Sequence, residues 1–144
     1  MAKAGAGRWL LKSEPSTYSY ADLARDGRTV WDGVRNPEAR NHLAGMRLGD
    51  LALFYHSGEG KAVVGVAKVV RESFPDPKAD DPKWLAVELA PVCELARPVT
   101  LAEIKAQASL AKIPLVTRSR LSVMALDAKA FEAILALGET RLPR

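Results

Sequence analysis

The sequence predicts an α+β fold: a small, curved sheet of mostly antiparallel strands that closes into a barrel, with inserted and flanking helices. Three observations lead there. Strand-like runs follow one another from Leu51 to Leu95 with only turn-like segments between them. Short stretches bearing helix-capping signatures lie before and after those runs. A chain of 144 residues is long enough to bury roughly 70% of its unfolded surface around one core. The expected organisation is one domain over residues 8–144, preceded by a loose tail, Met1–Gly7, of three alanines and two glycines.

Arg8 to Lys12 is apolar, flanked by charge, and predicts a first strand that stops at Ser13-Glu14-Pro15, where proline removes a ladder donor. Ser19 with Asp22 forms a capping box, and Gly27 provides a stop, so a short helix lies between them. Trp31-Asp32-Gly33-Val34-Arg35 predicts a loop or bend. Asn36-Pro37-Glu38 then supplies a cap, a first-turn proline and an early acid for a helix ending near Gly45. Leu51–Tyr55, Ala62–Arg71 and Trp84–Leu95 predict an antiparallel meander, interrupted by Ser57-Gly58-Glu59-Gly60 and by the loop from Phe74 to Pro82. That loop holds three prolines, which suit a stiff surface excursion. Thr100 and Glu103 cap another helix, Val116–Val123 predicts a strand with its approach, and Asp127 caps a last helix that ends at Gly138.

Composition narrows the function classes. With 48% hydrophobic and 26% charged residues the chain lies well outside the disordered range. The single Cys93 has no partner for an internal disulfide, and one cysteine with two histidines gives no zinc shell, so neither metal nor cofactor is expected. No apolar run approaches the roughly 20 residues of a spanning helix, which predicts a cytoplasmic protein without membrane contact. The net charge is +4, and between Glu103 and Asp127 there is no acid, whereas Lys105, Lys112, Arg118 and Arg120 fall inside that interval. Such a segment suits an anionic partner, although a solvated face accounts for the charge alone equally well.

Several segments in order resemble the EVE domain family, a member of the PUA-like group that includes the YTH readers and the ASCH domains. They are Trp9-Leu10-Leu11-Lys12-Ser13-Glu14-Pro15, Trp31-Asp32-Gly33-Val34-Arg35-Asn36 with Ala39-Arg40-Asn41, and Gly49-Asp50 leading into Phe54-Tyr55-His56-Ser57. Val64-Gly65-Val66-Ala67, Phe74-Pro75-Asp76-Pro77 and Arg118-Ser119-Arg120-Leu121-Ser122-Val123 follow. Met124-Ala125 and Phe74 depart from the family pattern, where a proline and a tyrosine are common. The resemblance implies a PUA-like barrel whose pocket takes a modified base of DNA or RNA, with 5-methylcytosine-type bases in DNA foremost.

The residues themselves are compatible with such a pocket. A base taken out of its stack needs an aromatic face, worth about 1–3 kcal/mol per base. Trp31, in a polar, glycine-containing segment, is the first candidate, whereas Trp9 and Trp84 lie in strand patterns and are expected in the core. Tyr55 and His56 end a strand, and one of the two should face the pocket. Ser13, Glu14, Ser57 and Ser122 offer polar groups to a base edge, and Arg118 and Arg120 suit phosphate or stacking. Asp32 and Asn36 precede a turn and a helix and are expected to cap them. His56 and Ser57 are strand neighbours pointing to opposite faces, which argues against a hydrolytic triad with Glu14. An ASCH-like nuclease using Lys12, Glu14 and Arg118, and a protein-binding adaptor, are the alternatives from other function classes.

Overall fold

The computed structural model describes residues 7–58 and 60–143. Residues 1–6 of the expected tail lie outside the described residues, as do Glu59 of the 57–60 turn and Arg144. β1 (Arg8–Ser13) is followed by α1 (Tyr20–Asp26), β2 (Thr29–Trp31) and α2 (Pro37–Gly45). β3 (Leu51–His56), β4 (Ala62–Pro75) and β5 (Leu85–Thr100) form the meander. α3 (Leu101–Ala106), α4 (Pro114–Thr117), β6 (Val123–Ala125) and α5 (Ala128–Leu137) complete the chain.

Local chemistry accounts for the helix boundaries. The Ser19–Asp22 and Thr100–Glu103 capping boxes are both made, Asn36 and Asp127 accept from backbone amides of their helices, and Gly27 ends α1 at φ 74°. That positive φ favours a residue without Cβ. Several boundaries differ from the sequence reading: β4 runs on to Pro75 and β5 to Thr100, beyond the expected Arg71 and Leu95. Thr29–Trp31 is a strand, because it pairs with Leu89–Val87 of β5, and Val116 lies in α4, so the strand expected over 116–123 is confined to Val123–Ala125.

The six strands form one mixed sheet in the order β2-β5-β4-β3-β1-β6, curled into a half-barrel. Most neighbours are antiparallel, but β1 runs parallel to β3, Ser13 beside His56. The chain from Ser13 to Leu51 passes through α1, β2 and α2 before it returns, long enough for a parallel crossover. Register shifts along the long β4–β5 ribbon allow it to bend, as bulges do. β3 sits near the middle, and its consecutive Ala52, Leu53, Phe54 and Tyr55 are all buried, which requires cover on both faces of the strand. Leu10, Leu11, Leu43, Met46, Phe131 and Ile134 join them in one core cluster.

Candidate functional site

A cavity of about 740 Å3 opens beside the ends of β1 and β2. Lys12, Ser13, Glu14, Thr17 and Tyr18 supply one wall, the stretch from Thr29 to Asn36 the opposite one, and Lys78 and Ser122 complete the rim. Parallel pairing of β1 with β3 fixes the first wall: the Ser57 amide donates to the Ser13 carbonyl at 2.9 Å. Beyond it the chain turns tightly, the amides of Thr17 and Tyr18 both donating to the Glu14 carbonyl at 2.9 Å. The Ser13 hydroxyl donates to the Tyr18 carbonyl at 2.6 Å, and the Tyr18 hydroxyl to Asp26 at 2.8 Å.

Two devices hold the second wall. The half-buried Trp31 ring meets the fully buried Phe54 edge-on, with centroids 5.5 Å apart and planes at 82°. Phe54 meets Tyr20 and His56 in the same manner, so a single core ring seats three aromatic neighbours. The other device is Asp76, whose side chain is 0% exposed. Its Oδ2 accepts from the Gly33 amide and from Arg35 Nη1, both at 2.8 Å, and its Oδ1 accepts from the Lys78 amide at 2.7 Å. Burial works against the Asp76 charge, but the bonds from Arg35, Gly33 and Lys78 outweigh it and hold the carboxyl below its ordinary range. Gly33, at φ 79°, gives the loop the turn that aims its amide at this carboxylate.

The cavity brings together Trp31, Ser13, Glu14 and Ser122 of the residues singled out from sequence. Ser57 does not line the cavity, although its amide is bonded to the Ser13 carbonyl, and Gly58, the next residue, lies beside the Glu14 side chain. Neither Tyr55 nor His56 lines the cavity. Tyr55 is 3% exposed and belongs to the core, because β3 is covered on both faces. His56 accepts the Tyr20 amide on Nε2 at 3.1 Å, and burial lowers its pKa, so the imidazole is a neutral acceptor pinning the start of α1. Arg118 also lies elsewhere, forming a two-pronged ion pair with Glu38, one prong of 3.0 Å. Arg120 is exposed and makes no hydrogen bond or ion pair among the described residues.

The sequence reading missed two contributors, Tyr18 and Asp76, and misplaced Trp84. Tyr18 adds a second aromatic group to the cavity, in the loop directly after β1 that the sequence already marked as irregular. Asp76 was placed on a surface excursion, whereas it is buried; Phe74 and Pro75 belong to β4, and the Asp76 amide donates to the Trp84 carbonyl to close the loop. Trp84 is half-buried outside the core cluster, with the Arg35, Arg40 and Lys83 cations 5.1–5.8 Å from its ring. Asn36 caps α2 as expected, while Asp32 pairs with Lys78 at 3.5 Å; both also line the cavity.

Among the described residues, no three His, Cys, Asp or Glu side chains gather as a metal shell would need. No helix among them is long and apolar enough to cross a membrane. Comparison with known proteins gives this geometry a lineage: the EVE domain family matches residues 7–137.

The chain belongs to the EVE domain family.

Mouse thymocyte nuclear protein 1 is 38% identical over 92% of this chain and 74% of its own length. The fold agrees equally well. A crystal structure of a protein from Agrobacterium tumefaciens is 38% identical and superposes with a TM-score of 0.92, covering 96% of this chain and 100% of its own. Human THYN1, solved in complex with 5-methylcytosine containing DNA, is 34% identical with a TM-score of 0.86 over 94% of this chain and 99% of its own. The YTH domain of Zygosaccharomyces rouxii MRB1 is 18% identical with a TM-score of 0.60, covering 96% of this chain and 90% of its own, a likeness of fold alone. The EVE domain of this chain therefore has the PUA-like α+β fold.

Proposed function

We propose that this EVE domain binds a modified base, of the 5-methylcytosine type in DNA, in the cavity between the Ser13–Tyr18 loop and the Trp31–Asn36 loop. One observation carries the reading: two aromatic side chains, Trp31 and Tyr18, line one cavity together with Ser13, Glu14, Asp32 and Ser122. A base leaving its stack needs a ring face and polar partners in the same place. The family relative solved with 5-methylcytosine containing DNA supports the ligand class.

In this reading Trp31 is the stacking surface, and its edge-on seat against Phe54 orients it before the ligand arrives. Glu14 and Ser13 stand where a base edge would pass, Glu14 accepting from an exocyclic amino group and main-chain amides donating to carbonyl oxygens. Buried, hydrogen-bonded Asp76 keeps the Gly33–Arg35 backbone in one conformation, which lowers the ordering cost of binding. The activity is recognition without bond cleavage. Of the three residues a nuclease-like reading would use, Lys12 and Glu14 line the cavity while Arg118 is engaged by Glu38, which favours the reader over the nuclease.

Burial of one methyl group is worth about 0.8 kcal/mol, or some fourfold in affinity. Any larger preference must come from polar contacts and pocket shape. The test is a titration with oligonucleotides carrying one modified base, in DNA and RNA, against unmodified controls. The expected result is tighter binding of the 5-methylcytosine strand by at least the fourfold that the methyl group supplies. Equal affinity for all strands would overturn the reading.

A further inference from the structure

A second concavity, of about 540 Å3, lies where the β4–β5 ribbon runs into α3. Gly58, Gly60, Leu101 and Ala102 give it a smooth, largely apolar lining, and Lys61 and Lys105 stand at its sides. Its shape follows from the strand ends. Ala62 pairs with Thr100, and the Leu101 amide donates to the Lys61 carbonyl at 3.0 Å, which draws the start of α3 against the 58–61 turn.

Both lysines are exposed, and neither has an ion-pair or hydrogen-bond partner among the described residues. Many cationic side chains elsewhere on this surface are engaged: Arg25, Arg28, Arg35, Arg71, Arg97 and Arg118, among others, each meet a carboxylate. The acid nearest in sequence on α3, Glu103, is held by Arg97 at 2.6 Å and by Thr100. Glu14 stands at the other end, 3.7 Å from the Cβ position of Gly58, and it lines the base cavity. Glu59, between the two glycines in the chain, lies outside the described residues. The two concavities are therefore neighbours, with Gly58 of one beside Glu14 of the other. Lys12, on the cavity wall, is held below its ordinary pKa first by burial and then by the positive charge of Lys61, in keeping with that proximity.

We infer that the Lys61–Lys105 groove carries the phosphodiester backbone of the strand whose base occupies the neighbouring cavity. The inference rests on the proposed base-binding reading. An apolar floor accepts the sugar, and two exposed ammonium groups with flexible stems suit phosphates as point charges without reading sequence.

The experiment is the salt dependence of binding by the full chain, using one single-stranded DNA oligonucleotide with central 5-methylcytosine and its unmodified twin. Each phosphate neutralised on a single strand contributes a slope of about 0.7 in log affinity against log salt. The double variant Lys61→Gln/Lys105→Gln should therefore lower the slope by about 1.4. Raising salt from 50 to 200 mM should then cost the wild type about sevenfold more affinity than the variant. The ratio between modified and unmodified strands should stay unchanged, as should the slope for Lys129→Gln, a charge removed from exposed α5 surface. An unchanged slope in the double variant overturns the inference even if the base preference stands. A wild type with no base preference but a slope that falls in the double variant sinks the base-binding reading and leaves the groove as a backbone site. Equal slope losses in Lys129→Gln would also overturn the assignment, since any surface charge would then serve.

Discussion

Replacing Asp76 by asparagine keeps the side-chain volume and removes one charge, so it isolates the electrostatic part of the clamp on the Trp31–Asn36 loop. Aspartate accepts three hydrogen bonds here, from Gly33, Arg35 and Lys78. Asparagine keeps one oxygen acceptor, and its amide nitrogen must then face either the Lys78 amide or the Gly33–Arg35 donor pair. Removing one partner of a fully buried pair costs about 3–5 kcal/mol, but the Arg35 side chain is 42% exposed and can return to water. Allowing for that, with an unsatisfied buried amide costing about 1–3 kcal/mol, the expected loss is about 2–3 kcal/mol. Urea unfolding followed by fluorescence measures it directly, and a titration with the 5-methylcytosine oligonucleotide should show weakened binding of the variant where it is still folded. Asp76→Asn should also flatten the acid limb of the stability profile. The folded carboxyl titrates below its ordinary 3.8, so its contribution is complete above that value and is lost as pH falls through the folded pKa. Glu38→Gln provides the contrast: it breaks an ion pair of the same formal charge with Arg118, but both side chains are about half exposed, and its unfolding midpoint should match the wild type. If Asp76→Asn unfolds and binds as the wild type does, the clamp has no energetic role and the preorganisation argument fails.

Two further perturbations probe the same frame. Trp31→Ala should lose about 1–3 kcal/mol of base binding while native circular dichroism persists; unchanged affinity in a folded variant would remove Trp31 from the site. His56 tests the link from β3 to α1: its folded pKa is depressed by burial, so the neutral ring's contribution is complete above the ordinary 6.5 and falls as the unfolded chain takes up a proton below it. The wild type should therefore lose more stability between pH 7 and pH 5 than His56→Gln, whose amide oxygen can still accept from Tyr20, and parallel profiles for the two proteins would contradict that role.

Features written in short-range chemistry were legible from sequence. Both capping boxes, the Asn36-Pro37 helix start, the Asp127 cap and the β3–β5 meander needed only neighbouring residues, and each appears where expected. Features that depend on distant partners were not. Thr29–Trp31 is a strand only because β5 offers it an edge, and three residues carry too little pattern to announce one. Arg118 looked free because Glu38 lies 80 residues away in the chain. Alternation along Phe54-Tyr55-His56 separated the faces correctly, but with both faces of β3 covered, face alone could not show which side chain reached a cavity. Asp76, flanked by prolines in a polar loop, carried every local mark of a surface turn; only the amides converging from Gly33 and Lys78 make it an interior anchor.

The central claim, that a base enters between the two loops and lies against Trp31, has a direct spectroscopic test in the three tryptophans of this chain. Trp9 donates its indole N–H to the buried Asp50 at 2.9 Å, away from the cavity residues, whereas Trp31 lines the cavity. In a 15N–1H correlation spectrum, titration with a 5-methylcytosine oligonucleotide should shift the Trp31 indole signal, saturating with the binding curve, and leave that of Trp9 in place. A Trp31 indole signal that stays fixed at saturating oligonucleotide would contradict the account.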